Sequence, residues 1–178
     1  MATLARVLVL HGPNLNLLGV REPAIYGRVG LAQINAELIE LGRTLDLVVE
    51  VEQANGEGQL IDRIHAFAAF GALAGFGPAA IPAAQADSSV DPPARGMVIN
   101  PGGYTHTSVA IRDALIYAGM PAVELHLSNP GRREPFRRTS LIEDVVMGRI
   151  AGFGGYGYVL ALSALVNHLR EAGGLAGR

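Results

Sequence analysis

The sequence predicts an α/β fold built on a parallel five-stranded sheet with helices on both faces. Three observations carry this. Short apolar runs of strand length alternate along the chain with stretches of helical period. The first such run, ARVLVL at residues 5–10, has the continuous apolar character of a buried strand. Hydrophobic residues make up 49% of a chain of 178 residues, enough to bury a sizeable core in one domain.

The elements follow in order. After the first strand comes a polar, glycine- and proline-bearing loop over residues 12–27. Leu31, Ile34, Leu38, Leu41 and Leu45 recur at helical spacing and predict a helix over 31–45. LVVEVE at 47–52 is the second strand. Beyond the Asn55–Gly58 turn, residues 59–70 predict a helix with Leu60, Ile64, Phe67 and Ala68 inward. Residues 97–100 form a third strand, 107–118 a helix and 122–127 a fourth strand. Residues 149–151 are a weak fifth, and 156–170 a closing helix. This alternation places the chain close to a flavodoxin-like, doubly wound fold. The expected organisation is a single domain over 1–178 with a surface insertion at about 71–95. That stretch is rich in Ala, Gly, Pro and Ser and lacks periodicity. A lid over the site is its alternative reading.

Composition removes whole classes of function. Net charge is −2 and 17% of residues are charged, so no nucleic-acid stripe or polybasic membrane patch is expected. No apolar run reaches membrane-spanning length, and the N-terminal apolar stretch is too short for a signal peptide. A soluble, cytoplasmic protein is expected. Without cysteine there is no disulfide, thiolate nucleophile or zinc–cysteine site. Without lysine there is no Schiff base and no phosphate-loop lysine; all 14 basic residues are arginine. The five histidines show no metal-binding spacing, and no G-x-S-x-G elbow is present. No metal site is expected.

In open parallel sheets, ligands bind beyond the carboxyl ends of the strands. Strand one runs into His11, Asn14, Asn16, Arg21 and Tyr26; strand three ends at Asn100, followed by Gly102, Gly103 and His106. In the fourth strand, Val123, Leu125 and Leu127 share one face, while Glu124, His126 and Ser128 share the other. A polar face inside a buried strand is costly unless it has a task. These strand ends should converge on one polar pocket. Each residue alone has a plainer reading. Asn14 and Asn16 could cap a turn, Tyr26 could be a packed ring, and Arg21 could pair with Glu22. His106 could sit at a helix start capped by Thr105 or Thr107. Glu124 and His126 could be a satisfied buried pair, and Arg132, Arg133, Arg137 and Arg138 a solvated face. His11, His65 and His168 are read as structural.

Gly152–Gly157 matches G-x-G-x-x-G, but no strand with an acidic residue follows it as a dinucleotide site requires. These glycines are read as close helix–sheet packing, with nucleotide binding as the lesser alternative.

Five blocks, HGPNLNLLGVREPAIYG, NGEGQLIDRIH, INPGGYTHTSVAIRDAL, VELHLSNPGRREPFRRTS and GRIAGFGGYGYVLAL, together resemble the type II 3-dehydroquinate dehydratases. They stand in that family's order and span nearly the whole chain except 71–95. The resemblance implies elimination of water from 3-dehydroquinate to give 3-dehydroshikimate through an enolate, without cofactor or metal. The missing lysine fits, since the unrelated type I enzymes need one for a Schiff base.

The resemblance also implies roles. Tyr26 corresponds to the tyrosinate base and Arg21 to the cation that favours it. His126, supported by Glu124, corresponds to the acid that protonates the departing hydroxyl, and Asn14 to the residue holding a water against the enolate oxygen. Asn100, Gly102, Gly103, His106, Leu127 and Ser128 correspond to substrate hydroxyl and carboxylate contacts. Arg137 corresponds to a ring-hydroxyl contact, and Arg133 to a loop arginine closing over the site. Asp113 corresponds to a residue lent by a neighbouring subunit, in a homododecamer built as a tetramer of trimers. The chemistry is coherent. A free tyrosine has a pKa of about 10, and an arginine within ~4–6 Å favours its anion. If residues 106–113 were helical throughout, Asp113 would lie ~10 Å from His106, facing away from an inward Ile111/Leu115/Ala118 stripe.

Three features depart from the family pattern: the 71–95 insertion, Pro130-Gly131-Arg132 before Arg133, and Arg149 where a small or apolar residue is common. A non-catalytic module binding a small carboxylate or phosphate through its arginines is the competing reading.

Overall fold

The described residues, 5–20, 29–68 and 95–173 of a computed structural model, form five strands and four helices. The strands are β1 (Ala5–His11), β2 (Leu47–Gln53), β3 (Arg95–Asn100), β4 (Ala122–His126) and β5 (Gly148–Ala151). The helices are α1 (Leu31–Thr44), α2 (Glu57–Ala68), α3 (Val109–Ala118) and α4 (Tyr156–Glu171). The strands pair in the order β2-β1-β3-β4-β5, all parallel. The chain winds one way from β1 to β2 and the other way from β3 to β5, so the winding reverses between β1 and β3. The five-stranded, doubly wound sheet predicted above is therefore the one observed.

Alternation along each strand divides the core into two layers. Val7, Val9, Val98, Val123 and Leu125 point to one face, where Ile34 and Leu38 of α1 and Leu162, Leu165 and Leu169 of α4 cover them. Leu8, Leu10, Met97 and Ile99 point to the other, against Leu60, Ile64 and Phe67 of α2 and Ile111 and Leu115 of α3. Each such side chain, removed from water, contributes about 1.5–3 kcal/mol. The strands are apolar on both faces because both are covered.

Two of the boundaries that differ from expectation do so for a local reason. Arg95 belongs to β3 and not to the insertion: it sits in register with Arg6 of β1. Its guanidinium donates to the carbonyls of Phe67 and Ala68 at the end of α2 (3.3 and 2.9 Å). Helix α3 begins at Val109, because Ser108 is the cap: its hydroxyl accepts the Ile111 N–H at 2.8 Å. Neither Thr105 nor Thr107 caps it. Residues 102–106 instead form a separate 3-10 turn, so His106 and Asp113 do not share one helix. The weak fifth strand is real and pairs with β4 from Val123–Gly148 to His126–Ala151. The proposed insertion, apart from Arg95, lies outside the described residues.

Candidate active site

The crevice opens where the winding reverses, at the carboxyl ends of β1, β3 and β4. There β1 and β3 leave the sheet touching. The Gly12 N–H donates to the Asn100 carbonyl at 2.7 Å. A Cβ on Gly12 would stand 2.6 Å from the Pro101 carbonyl carbon, so only glycine permits this approach. Asn14 follows in the left-handed region, φ +66°, a conformation asparagine tolerates better than most residues. Its N–H donates to Asn55 Oδ1 at 2.9 Å. Gln53 Nε2 steadies the same oxygen at 2.9 Å and the Gly12 carbonyl at 3.1 Å.

On β4, His126 and Glu124 form a buried pair, Nε2 to Oε1 2.6 Å apart. Glu124 has no exposed surface. Its carboxylate also accepts from the hydroxyls of Thr105 and Ser140, the latter at 2.9 Å. Burial opposes its charge. The hydrogen bonds from His126 and Thr105, the His126 charge and the Ser140 bond nevertheless hold its carboxyl below the usual carboxylate range. Arg149 of β5 adds a cation at 4.0 Å from Glu124 Oε1 while reaching Glu143 at 3.3 Å. The Arg149 guanidinium thus lies beside the pair.

The crevice encloses about 180 Å³ and is lined by Asn14, Asn100, Gly102, Gly103, His106, His126, Leu127, Ser128, Arg133 and Arg137, all expected there. Pro13, Leu15, Leu17, Leu18 and Pro130 complete it. His106 and His126 stack with ring centres 6.4 Å apart. The Nδ1 of His106 bonds the Thr139 carbonyl at 2.6 Å. Arg133 and Arg137 both reach Glu134, at 3.4 and 2.9 Å. Arg132 and Arg138 are exposed, so the solvated-face reading holds for one half of the arginine cluster only. Pro130-Gly131-Arg132 forms a 3-10 turn, capped by the Asn129 side chain accepting the Gly131 N–H at 3.0 Å.

Two expected residues among those described do not line the crevice. Glu124 stands behind His126. Asp113 is exposed on the outer side of α3, opposite the buried Ile111 and Leu115. Arg21 and Tyr26 lie outside the described residues. Sequence reasoning missed Asn55, which holds the Asn14 backbone, and Ser140, which holds Glu124. Ser140 stood in no alternating or strand-end pattern, and Asn55, just past the end of β2, was read only as the start of a turn.

The Gly152–Gly157 loop is a packing device. Its amides are spent internally, Gly152 N–H on the His126 carbonyl (3.1 Å) and Gly154 N–H on the Leu127 carbonyl (2.9 Å). A Cβ on Gly157 would lie 3.0 Å from Leu125 Cδ1. Among the described residues, no group of three or more His, Cys, Asp or Glu could hold a metal ion.

A polar crevice at the switch point of a flavodoxin-like sheet, backed by a buried carboxylate–imidazole pair, defines an α/β protein equipped for proton transfer on a small oxygen-rich molecule. The family model described as class II dehydroquinase matches residues 5–166. A 3-dehydroquinate dehydratase of Geotalea daltonii is 45% identical over 93% of this chain and 99% of its own. One from Acaryochloris marina is 48% identical over 92% and 95% respectively. The crystal structure of the type II dehydroquinase from Propionibacterium acnes superposes with a TM-score of 0.76 at 38% identity, covering 93% of this chain and 99% of that one. The chain belongs to the type II dehydroquinase family.

Proposed function

We propose that this chain eliminates water from 3-dehydroquinate to give 3-dehydroshikimate, through an enolate and with no metal or cofactor. The observation that carries the reading is the His126–Glu124 pair, 2.6 Å apart, with the imidazole alone of the two reaching the crevice. Tyr26, as tyrosinate favoured by Arg21, takes a proton from the carbon between the ketone and the departing hydroxyl. The electron pair moves onto the ketone oxygen, where a water held by Asn14 donates to it. His126 gives its proton to the hydroxyl, which leaves as water while the enolate collapses to the conjugated enone. Glu124 stabilises the imidazolium before that step, and donors aimed at the enolate oxygen supply much of the rate.

Asn100, His106, Ser128, Arg137 and the backbone at Gly102, Gly103 and Leu127 hold the ring's hydroxyls and carboxylate. Arg133 closes over them. Asp113 serves the site of a neighbouring subunit. In support, it is exposed on α3 among Val109, Ile116 and Tyr117, which are themselves 54–59% exposed and offer an apolar surface to a second copy. The reading extends to a homododecamer, a tetramer of trimers, in the cytoplasm, and to one catalytic domain.

The test is turnover of 3-dehydroquinate followed by enone absorbance. Tyr26→Phe and Arg21→Ala should each lower it by orders of magnitude with folding intact. Thermal stabilisation by substrate without product would favour the non-catalytic binding module.

A further inference from the structure

Behind the crevice wall, a continuous run of polar groups joins β3 to α4, β1 and α1. Asn100 Nδ2 lies 3.2 Å from Tyr158 Oη. Tyr158 Oη lies 2.7 Å from His11 Nδ1, and His11 Nε2 lies 2.9 Å from Asn35 Oδ1. Tyr158 and His11 have no exposed surface and Asn100 is 2% exposed. Of the four, Asn100 alone lines the crevice.

The direction of donation along this run is set at its ends. The Gly102 N–H donates to Asn100 Oδ1 at 3.2 Å, so the amide nitrogen is what faces Tyr158. The phenol oxygen therefore accepts, and its own hydrogen goes to His11 Nδ1. The remaining imidazole hydrogen is on Nε2 and goes to Asn35. Burial keeps every member neutral: it lowers the His11 pKa to about 4, against the Asn35 bond, and pushes the Tyr158 phenol up. A neutral run in which every member is bonded has one arrangement.

We infer that Tyr158 and His11 are positioning residues which lock the Asn100 amide so that its second N–H, and not its carbonyl, is presented to the bound ring. The wall then recognises an acceptor oxygen. Without the Tyr158 acceptor only the 3.2 Å bond from the Gly102 N–H would hold the amide, and in the turned orientation it presents Oδ1, which repels that oxygen. The inference rests on the reading that Asn100 touches substrate.

Steady-state kinetics on 3-dehydroquinate test it. Tyr158→Phe removes one of the two bonds that fix the Asn100 amide and leaves the one from the Gly102 N–H. It should raise KM about fivefold, the worth of one hydrogen bond, with kcat within about threefold. Asn100→Ala should raise KM at least as much, and the double variant should be no worse than Asn100→Ala alone. A merely structural Tyr158 would lower thermal stability without this split, and its effect would add to that of Asn100→Ala; either result overturns the inference. If Asn100→Ala itself leaves KM unchanged, the contact reading falls and takes the lock with it. An unchanged KM in Tyr158→Phe beside an impaired Asn100→Ala overturns the lock alone. Should Tyr158→Phe fail to fold, Asn35→Ala, at the half-buried end of the run, frees the His11 tautomer. It should raise KM by about twofold or more, and a wild-type KM there overturns the lock.

Discussion

His126 Nε2 lies 2.6 Å from Glu124 Oε1, and the carboxylate, wholly buried, meets the crevice only through that ring. The carboxylate is thereby a partner of the imidazole and not a group that touches substrate.

Glu124→Gln keeps the shape of the side chain and removes the charge that stabilises an imidazolium. It should lower kcat about 10²–10⁴-fold, the range of a positioned acid, with a much smaller change in KM. Enone formation under saturating substrate measures this. A kcat within a factor of three of wild type would contradict the pairing's role.

If Asp113 completes a neighbour's site, two inactive variants can repair each other. Asp113→Ala and His126→Ala, mixed in one assembly, place an intact His126 beside an intact Asp113 in some sites. Activity of the co-assembled mixture should reach roughly a quarter of wild type, since each site needs both halves intact and each is intact half the time. Each variant alone should stay near background. A mixture no better than the separate variants would remove the shared-site proposal.

The buried His11 makes stability depend on pH. Its pKa is about 4 in the folded chain, against 6.5 in its absence. Between those values the unfolded chain binds a proton that the folded chain refuses, so stability falls as pH drops from about 6.5 to about 4. The full loss is roughly 3 kcal/mol, about 2 kcal/mol of it by pH 5. Glu124, held below its ordinary value of 4.5, adds its own loss as pH falls below about 4.5, where the lower end of the His11 window overlaps it. Denaturant unfolding at pH 7.5 and pH 5 should show a larger drop for wild type than for His11→Gln; equal drops would contradict the burial argument.

Gly12→Ala would place a methyl group against the Pro101 carbonyl. Backbone cannot step aside as a side chain can, so the ends of β1 and β3 must part. A destabilisation of about 1–3 kcal/mol is expected, the usual cost of overpacking. A loss in kcat/KM should accompany it, because Asn14 and Asn100 flank the same contact. Chemical denaturation and kinetics on one preparation measure both, and a stability change under about 0.5 kcal/mol would contradict the close-contact reading.

Much of this was legible in the sequence, for identifiable reasons. Strands and helices whose faces repeat at period 2 or 3.6, such as β1 and α1, declare themselves because burial writes the pattern. The Glu124/His126 face was legible because polar residues alternate with apolar ones inside a strand. Arg95 was not, because its charge is neutralised by carbonyls at the end of α2, about 27 residues away in sequence. Ser140 and Asn55 were not, because a single serine or asparagine in a loop carries no period. The run from Asn35 to Asn100 was invisible for the same cause: Tyr158 and His11 stand 147 residues apart and meet only when α4 folds over the sheet.

The central claim is that the imidazole of His126 delivers the proton that lets the hydroxyl leave. The most direct measurement is the rate of enone appearance when assembled wild-type protein and His126→Ala are each given 3-dehydroquinate. The account predicts steady product formation by wild type and a rate lower by two or more orders of magnitude in the variant, measured on variant protein that is still folded and assembled, if less stable for the loss of a partner to the buried Glu124. Equal rates in the two proteins, or no enone from the wild type, would contradict it.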